Sequence, residues 1–214
     1  MSEETEGRAA AFADALNDLK RRGCMLLVVG TGGNLAAVCE KLRGDDGDER
    51  RRLYVRTGGR SARPETDVGV PSRTIRYGTD TRSAAATSTD AGAGAPDRVV
   101  DSGLPDLQSA IDEAVAALEP DAGYDAAELR VCVDAADALL SRHADERVFQ
   151  LLHALSGRMR ETGGMCHVHL PVAYDDEHVA LLGPLFDAIV EVRHGTEQRW
   201  HLSDPEMTTD WVPL

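Results

Sequence analysis

Two rhythms of apolar residues alternate along this chain. Over residues 5–22, Ala9, Phe12, Ala13, Leu16 and Leu19 recur every three or four positions, which predicts a helix with one buried stripe. Glu3, Glu4 and Glu6 lie near its start and Lys20, Arg21 and Arg22 in its last turn. Both placements favour the helix dipole, and Gly23 suits the helix end. The next six residues, Cys24–Val29, are continuously apolar, as in a strand covered on both faces. A turn at 30–33 follows, with Asn34 placed to cap a second helix over 35–42. Residues 44–48 read as an acidic loop and 53–56 as a second strand. Strand, turn, helix and strand in this length make a βαβ unit.

The rhythm then fades. Residues 74–77 alternate as a short strand. The stretch 78–96 is rich in Ser, Thr, Ala, Gly and Asp and lacks any large apolar side chain. It predicts a disordered loop inside the domain, because strand and helix patterns resume beyond it. Val99 and Val100 close a short strand. Residues 104–118 form a helix with Leu104, Leu107, Ile111, Val115 and Leu118 on one face. The central strand is Leu129-Arg130-Val131-Cys132-Val133-Asp134, which stops on an acid. Helices over 135–143 and 147–162 come next, the second turning Val148, Leu151, Leu152, Leu155 and Met159 inward. Gly163 and Gly164 stop it. A strand over Met165–Leu170 is closed by Pro171. A helix over 177–186 carries Pro184 near its end. Residues 188–193 and 199–202 read as a closing hairpin and 203–214 as a tail. This order predicts a single three-layer α/β/α domain over 1–214, with a mostly parallel sheet and a C-terminal hairpin.

Composition narrows the setting. The net charge is −14, from 37 acids against 23 basic residues. Such a surface repels nucleic acid and anionic membrane, so neither is expected as a partner. Only Lys20 and Lys41 are lysines; the other basic residues are arginines. Dense carboxylates with almost no lysine fit a halophilic archaeal protein, whose self-repulsion is screened by salt. A GC-rich genome favouring Arg, Ala, Asp and Gly codons is the alternative. No apolar run approaches membrane-spanning length and no leader pattern opens the chain, which predicts a cytoplasmic protein. Cys24, Cys39, Cys132 and Cys166 form no close pair in sequence and read as small buried hydrophobes in a reducing compartment.

Three constellations carry chemistry. The loop Gly30-Thr31-Gly32-Gly33-Asn34 stands between a strand and a helix, where backbone amides cradle phosphate in nucleotide-binding folds. A P-loop needs G-x-x-x-x-G-K-[ST], and no Lys-Ser/Thr pair follows here; Lys41 lies two turns into the helix. A tight strand-to-helix turn is the simpler reading of the glycines. Asp134 stands at the carboxyl end of a parallel strand, where open α/β sheets bind ligands. It suits either Mg²⁺ held through water or a cap for the following helix. His167 and His169 are two apart on one strand and share a face, as a metal pair would, while Cys166 points the other way. No further ligand stands at a recognisable spacing, and His153 and His178 have no evident link to the pair. Satisfied strand histidines are the simpler reading, which leaves no assigned metal site.

The strand 129–134 with the following Ala-Ala-Asp-Ala-Leu-Leu140, the helix segment Val148-Phe149-Gln150, the run Gly163-Gly164-Met165-Cys166-His167-Val168-His169 and the segment Leu181–Val192 together resemble the RecA/KaiC-like ATPase superfamily. More narrowly, the chain resembles small haloarchaeal KaiC-like proteins with a degenerate Walker A motif. The likeness spans roughly 24–202 and is strongest after Leu104. It implies a RecA-like fold with Asp134 at the position of the Walker B acid and Gly30, Thr31, Gly32, Gly33 and Asn34 at the phosphate loop. ATP and Mg²⁺ are the cofactors such a site would take. The missing Lys-Ser/Thr, and the absence of an acid in Leu53-Tyr54-Val55-Arg56-Thr57-Gly58-Gly59 to serve as base, imply a domain without significant hydrolysis. The expectation is a regulatory or signalling domain acting through a protein partner or a homo-oligomer. Nucleotide binding is the first alternative and a metal site at His167 and His169 the second.

Overall fold

The computed structural model describes residues 2–31, 35–44, 49–57, 70–78, 98–194 and 196–214. Gly32, Gly33 and Asn34 of the candidate loop, most of the acidic loop, and the expected disordered loop from residue 79 onward lie outside the described residues.

The sheet is built from β1 (Cys24–Val29), β2 (Arg51–Arg56), β3 (Ser72–Tyr77), β4 (Arg98–Val100), β5 (Leu129–Val133), β6 (Met165–Leu170), β7 (Ala188–Arg193), β8 (Glu197–Ser203), β9 (Glu206–Thr208) and β10 (Val212–Pro213). Its order is β10-β8-β7-β1-β6-β5-β2-β3-β4, with β9 also on β8. Every pairing from β7 to β4 is parallel, and those of β8 with β7, β9 and β10 are antiparallel. The helices are α1 (Ser2–Arg22), α2 (Leu35–Arg43), α3 (Leu104–Leu118), α4 (Ala136–Leu140), α5 (Asp145–Thr162) and α6 (Glu177–Leu182). The fold is the three-layer α/β arrangement that the alternation of strand and helix patterns predicts.

The period-2 alternation of strand side chains sorts the two faces. Met25, Leu27 and Val29 of β1, Val131 and Val133 of β5, and Cys166, Val168 and Leu170 of β6 join α3, α4, α5 and α6 in one large apolar core. Cys24 and Leu26, with Met165, Ala188 and Leu202, pack under α1. Val28, Val190 and Val192 pack with Val38 of α2. The face beneath α2 is thus apolar toward β7. Toward β5 and β2 it changes character, with buried Arg52, Arg130, His167 and His169.

Several expected details differ. Ala13 is exposed, and Ala15 takes the inward position in α1. Helix α5 begins two residues early because Asp145 and Glu146 stabilise its positive end. The expected helix over 177–186 stops at Leu182 and tightens to a 3₁₀ turn over Gly183–Leu185. Pro184 lacks the N–H that an α-helical bond to the preceding turn requires. The expected tail contains β9 and β10, both of which add to β8. Among the described residues no helix is long and apolar enough to cross a membrane.

Candidate functional site

The carboxyl edge of the sheet brings some of the candidate residues together and separates others. Strand β6 lies between β1 and β5. The loop after β1 and Asp134 are therefore two strand spacings apart, about 9–10 Å. Gly30, which opens the loop, has φ +154, and a Cβ there would stand 2.4 Å from the Val192 carbonyl oxygen. Its lack of a side chain serves the close approach of β7. Thr31 is exposed.

Asp134 does not cap α4, whose N-cap is Ala135 with no side-chain hydrogen bond. Its Oδ1 accepts instead from the backbone N–H of Thr57 at 2.9 Å, while the Thr57 hydroxyl, 3.3 Å from that oxygen, donates to the Ala135 carbonyl at 2.5 Å. Thr57 is fully buried, and the backbone N–H of Asp134 donates to the Val55 carbonyl at 3.1 Å. The acid thus ties the end of β5 to the end of β2. His153 and His178 are engaged elsewhere. His153 stacks on Phe149, and His178 lies 2.9 Å from the Asp176 carboxylate that caps α6.

His167 and His169 have different company. The parallel register sets Cys132 of β5 opposite His167 of β6. Alternation turns both toward α2, on the same side as Arg130. Helix α2 presents Leu35, Val38 and Leu42 to the sheet, and Cys39 shares that stripe at the helical spacing. Its sulfur lies 3.5 Å from the Cys132 sulfur and 3.2 Å from His167 Nε2. The His169 ring stands 5.2 Å from the His167 ring, centroid to centroid, at 66°. One ligand atom from each of Cys39, Cys132, His167 and His169 lies within 4.8 Å of all the others. Cys132, His167 and His169 are buried, and Cys39 partly so.

The charge states follow from this packing. The hydrogen bond from Cys132 holds the Cys39 thiol well below the usual thiol range, against its own burial and with help from the His167 ring. The same bond, with burial, pushes Cys132 up. Burial pushes His167 down, toward the neutral imidazole. On the other cysteines burial is the main cause, raising Cys24 to about 12 with help from Asp187 and against Arg130, Arg22 and Arg160, and raising Cys166 further still, as befits inert core thiols. Arg130 and Arg52 donate to the carbonyls of Leu42 and Gly44, each at 3.4 Å, where the C-terminal end of α2 presents negative charge. Helix α2 is therefore held down at its end by guanidinium groups and at its middle by Cys39.

His167 and His169 stand together on one face of β6 and Cys166 on the other, as their spacing predicts. Cys39 and Cys132, expected from the sequence to be inert, join the two histidines. The usable signal was alternation in β5, which sets Cys132 with Arg130 against Val131 and Val133. The register of β5 on β6 had no signature in the sequence.

Among curated proteins, none matches this sequence. Among solved structures, a KaiC-like protein, PH0186, from the hyperthermophilic archaeon Pyrococcus horikoshii OT3 is similar in fold, with a TM-score of 0.52 at 13% identity. The similarity covers 90% of this chain and 85% of that one, which supports a RecA/KaiC-like fold. The model of a family of unknown function, DUF7504, matches residues 23–192, from the start of β1 almost to the end of β7, and the chain belongs to that family.

Proposed function

We propose that this chain is a RecA/KaiC-like domain that works without hydrolysing nucleotide. It acts by contact with another protein or with further copies of itself, as a regulatory component in the cytoplasm of a halophilic archaeon. The observation that carries the reading is the use of Asp134 Oδ1 to accept the backbone N–H of buried Thr57 at 2.9 Å. An acid used as a strap between strand ends is poorly placed to organise a hydrated cation. Gly30 supports the same reading, because its missing side chain makes room for Val192. The acidic, lysine-poor composition supports the halophilic setting. Val99 on β4 and Val212 on β10, the two end strands of the sheet order among the described residues, are exposed apolar side chains, which suits contact with protein.

The second reading holds nucleotide at the loop opened by Gly30 and Thr31, with Mg²⁺ on Asp134. It draws on the shared position of these residues at the carboxyl edge of the sheet. Thermal unfolding in molar KCl with Mg²⁺, with and without millimolar ATP, separates the two. A ligand at about 100 times its dissociation constant adds about 2.7 kcal/mol. The expected result is no shift. A shift of several degrees that Asp134→Ala abolishes would establish the nucleotide reading instead. Asp134→Ala itself is expected to lower stability by about 1–2 kcal/mol with or without ATP, because the Thr57 N–H loses its acceptor. Urea denaturation of the two proteins measures this directly.

A further inference from the structure

We propose that Cys39, Cys132, His167 and His169 form a closed tetrahedral site for one zinc ion. Two thiolates and two imidazoles are a donor set that structural zinc takes. The four come from three elements, α2, β5 and β6, that only the fold brings together. Their ligand atoms already lie within 4.8 Å of one another.

The two shortest contacts suit the ion. With Zn–S near 2.3 Å and Zn–N near 2.0–2.1 Å, a regular tetrahedron puts S···S at about 3.8 Å and S···N at about 3.6 Å. Cys39 to Cys132 is 3.5 Å and Cys39 to His167 is 3.2 Å, each within about 0.4 Å of those edges. A plain hydrogen-bonded cluster accounts for these two contacts but leaves one ring nitrogen of His169 unpaired. That residue is only 5% exposed, and its Nε2 is buried with no hydrogen-bond partner. A buried ring nitrogen without a partner is costly, and in the tautomer that puts its lone pair on Nε2 a cation at the centre of the four groups satisfies it. Two thiolates neutralise the charge of a divalent ion, so the assembled centre buries no net charge beside Arg130 and Arg52. Four protein ligands fill the coordination shell and leave no open position for a substrate. The ion therefore clamps α2 onto the sheet.

The test uses the full chain in molar KCl with a phosphine reductant. Protein loaded with zinc and dialysed against metal-free buffer is expected to retain one zinc per chain by mass spectrometry. Cobalt(II) in place of zinc is expected to give the intense visible bands of a tetrahedral site, with thiolate charge transfer, and zinc to bleach them. Loss of an outer-shell partner of a metal ligand typically costs about 10–100-fold in affinity, so Cys39→Ser and His169→Ala should each weaken binding by more than about tenfold. Cys166→Ser, altered on the opposite face of β6, should keep the zinc content and the cobalt spectrum. A folded wild-type chain that retains no zinc, or that gives only the weak bands of octahedral cobalt, overturns the proposal. So does an unchanged spectrum in Cys39→Ser. The wild-type cobalt spectrum decides the matter even where a variant fails to fold.

Discussion

Gly30→Ala is expected to lower the unfolding free energy by about 2–4 kcal/mol, in the absence of any ligand. Two costs add. The backbone at Gly30 has φ +154, a conformation that a residue with a Cβ adopts only under strain. The new methyl group would also stand 2.4 Å from the Val192 carbonyl oxygen and 3.3 Å from the Val192 Cβ. That carbonyl belongs to β7, whose register on β1 runs through Val29 opposite Glu191. It cannot retreat without loosening the pairing of two central strands. Chemical denaturation of the two proteins is the measurement. A loss below about 0.5 kcal/mol, the usual range for neutral surface changes, would mean that Gly30 is not held by this contact. The phosphate-cradle role for Gly30 would then regain its standing.

For Asp187→Ala the expected loss is about 2–3 kcal/mol. Asp187 precedes β7 and joins several elements at the amino edge of the sheet. One carboxylate oxygen accepts the Met25 N–H at 2.9 Å, and the backbone N–H of Asp187 donates to the Met25 carbonyl at 2.9 Å. The other carboxylate oxygen lies 3.4 Å from the Arg22 guanidinium and 3.6 Å from that of Arg160. The side chain is 9% exposed, while the two arginines are about half exposed. Screening by salt therefore mutes the ion pairs but leaves the hydrogen bond to Met25 intact. Most of the loss should persist in molar KCl. Asp187→Asn, which keeps an acceptor oxygen, should lose only about 1 kcal/mol. Equal losses in the two variants at high salt would show that charge, not the hydrogen bond, holds the strands.

Elements whose pattern was long and one-sided were legible in the sequence. Helix α3 and strands β6 and β7 run where the pattern placed them, over Leu104–Leu118, Met165–Leu170 and Ala188–Arg193. The two short strands after Ser203 were not legible, because Glu206–Thr208 and Val212–Pro213 carry little apolar signal and are strands only through pairing with β8. The candidate site divides in the same way. The shared face of His167 and His169 follows from a spacing of two. Cys39 reaches them from a helix more than a hundred residues earlier in the chain, through a register that depends on β5 lying beside β6. Sequence spacing reports a metal centre only when its ligands are local, and these are not.

The place of β1 in the sheet has a consequence for synthesis on the ribosome. This strand, Cys-Met-Leu-Leu-Val-Val, is fully buried and pairs with β6 and β7, so Cys24 waits for Met165. At ~5–20 residues per second, that wait is on the order of ten seconds. Throughout it, the nascent chain carries six consecutive apolar residues with no partner strand, the kind of segment that aggregates when exposed. A polypeptide cut short before Met165 would never bury them, and its natural fate is capture by a chaperone or a protease rather than a stable half-domain.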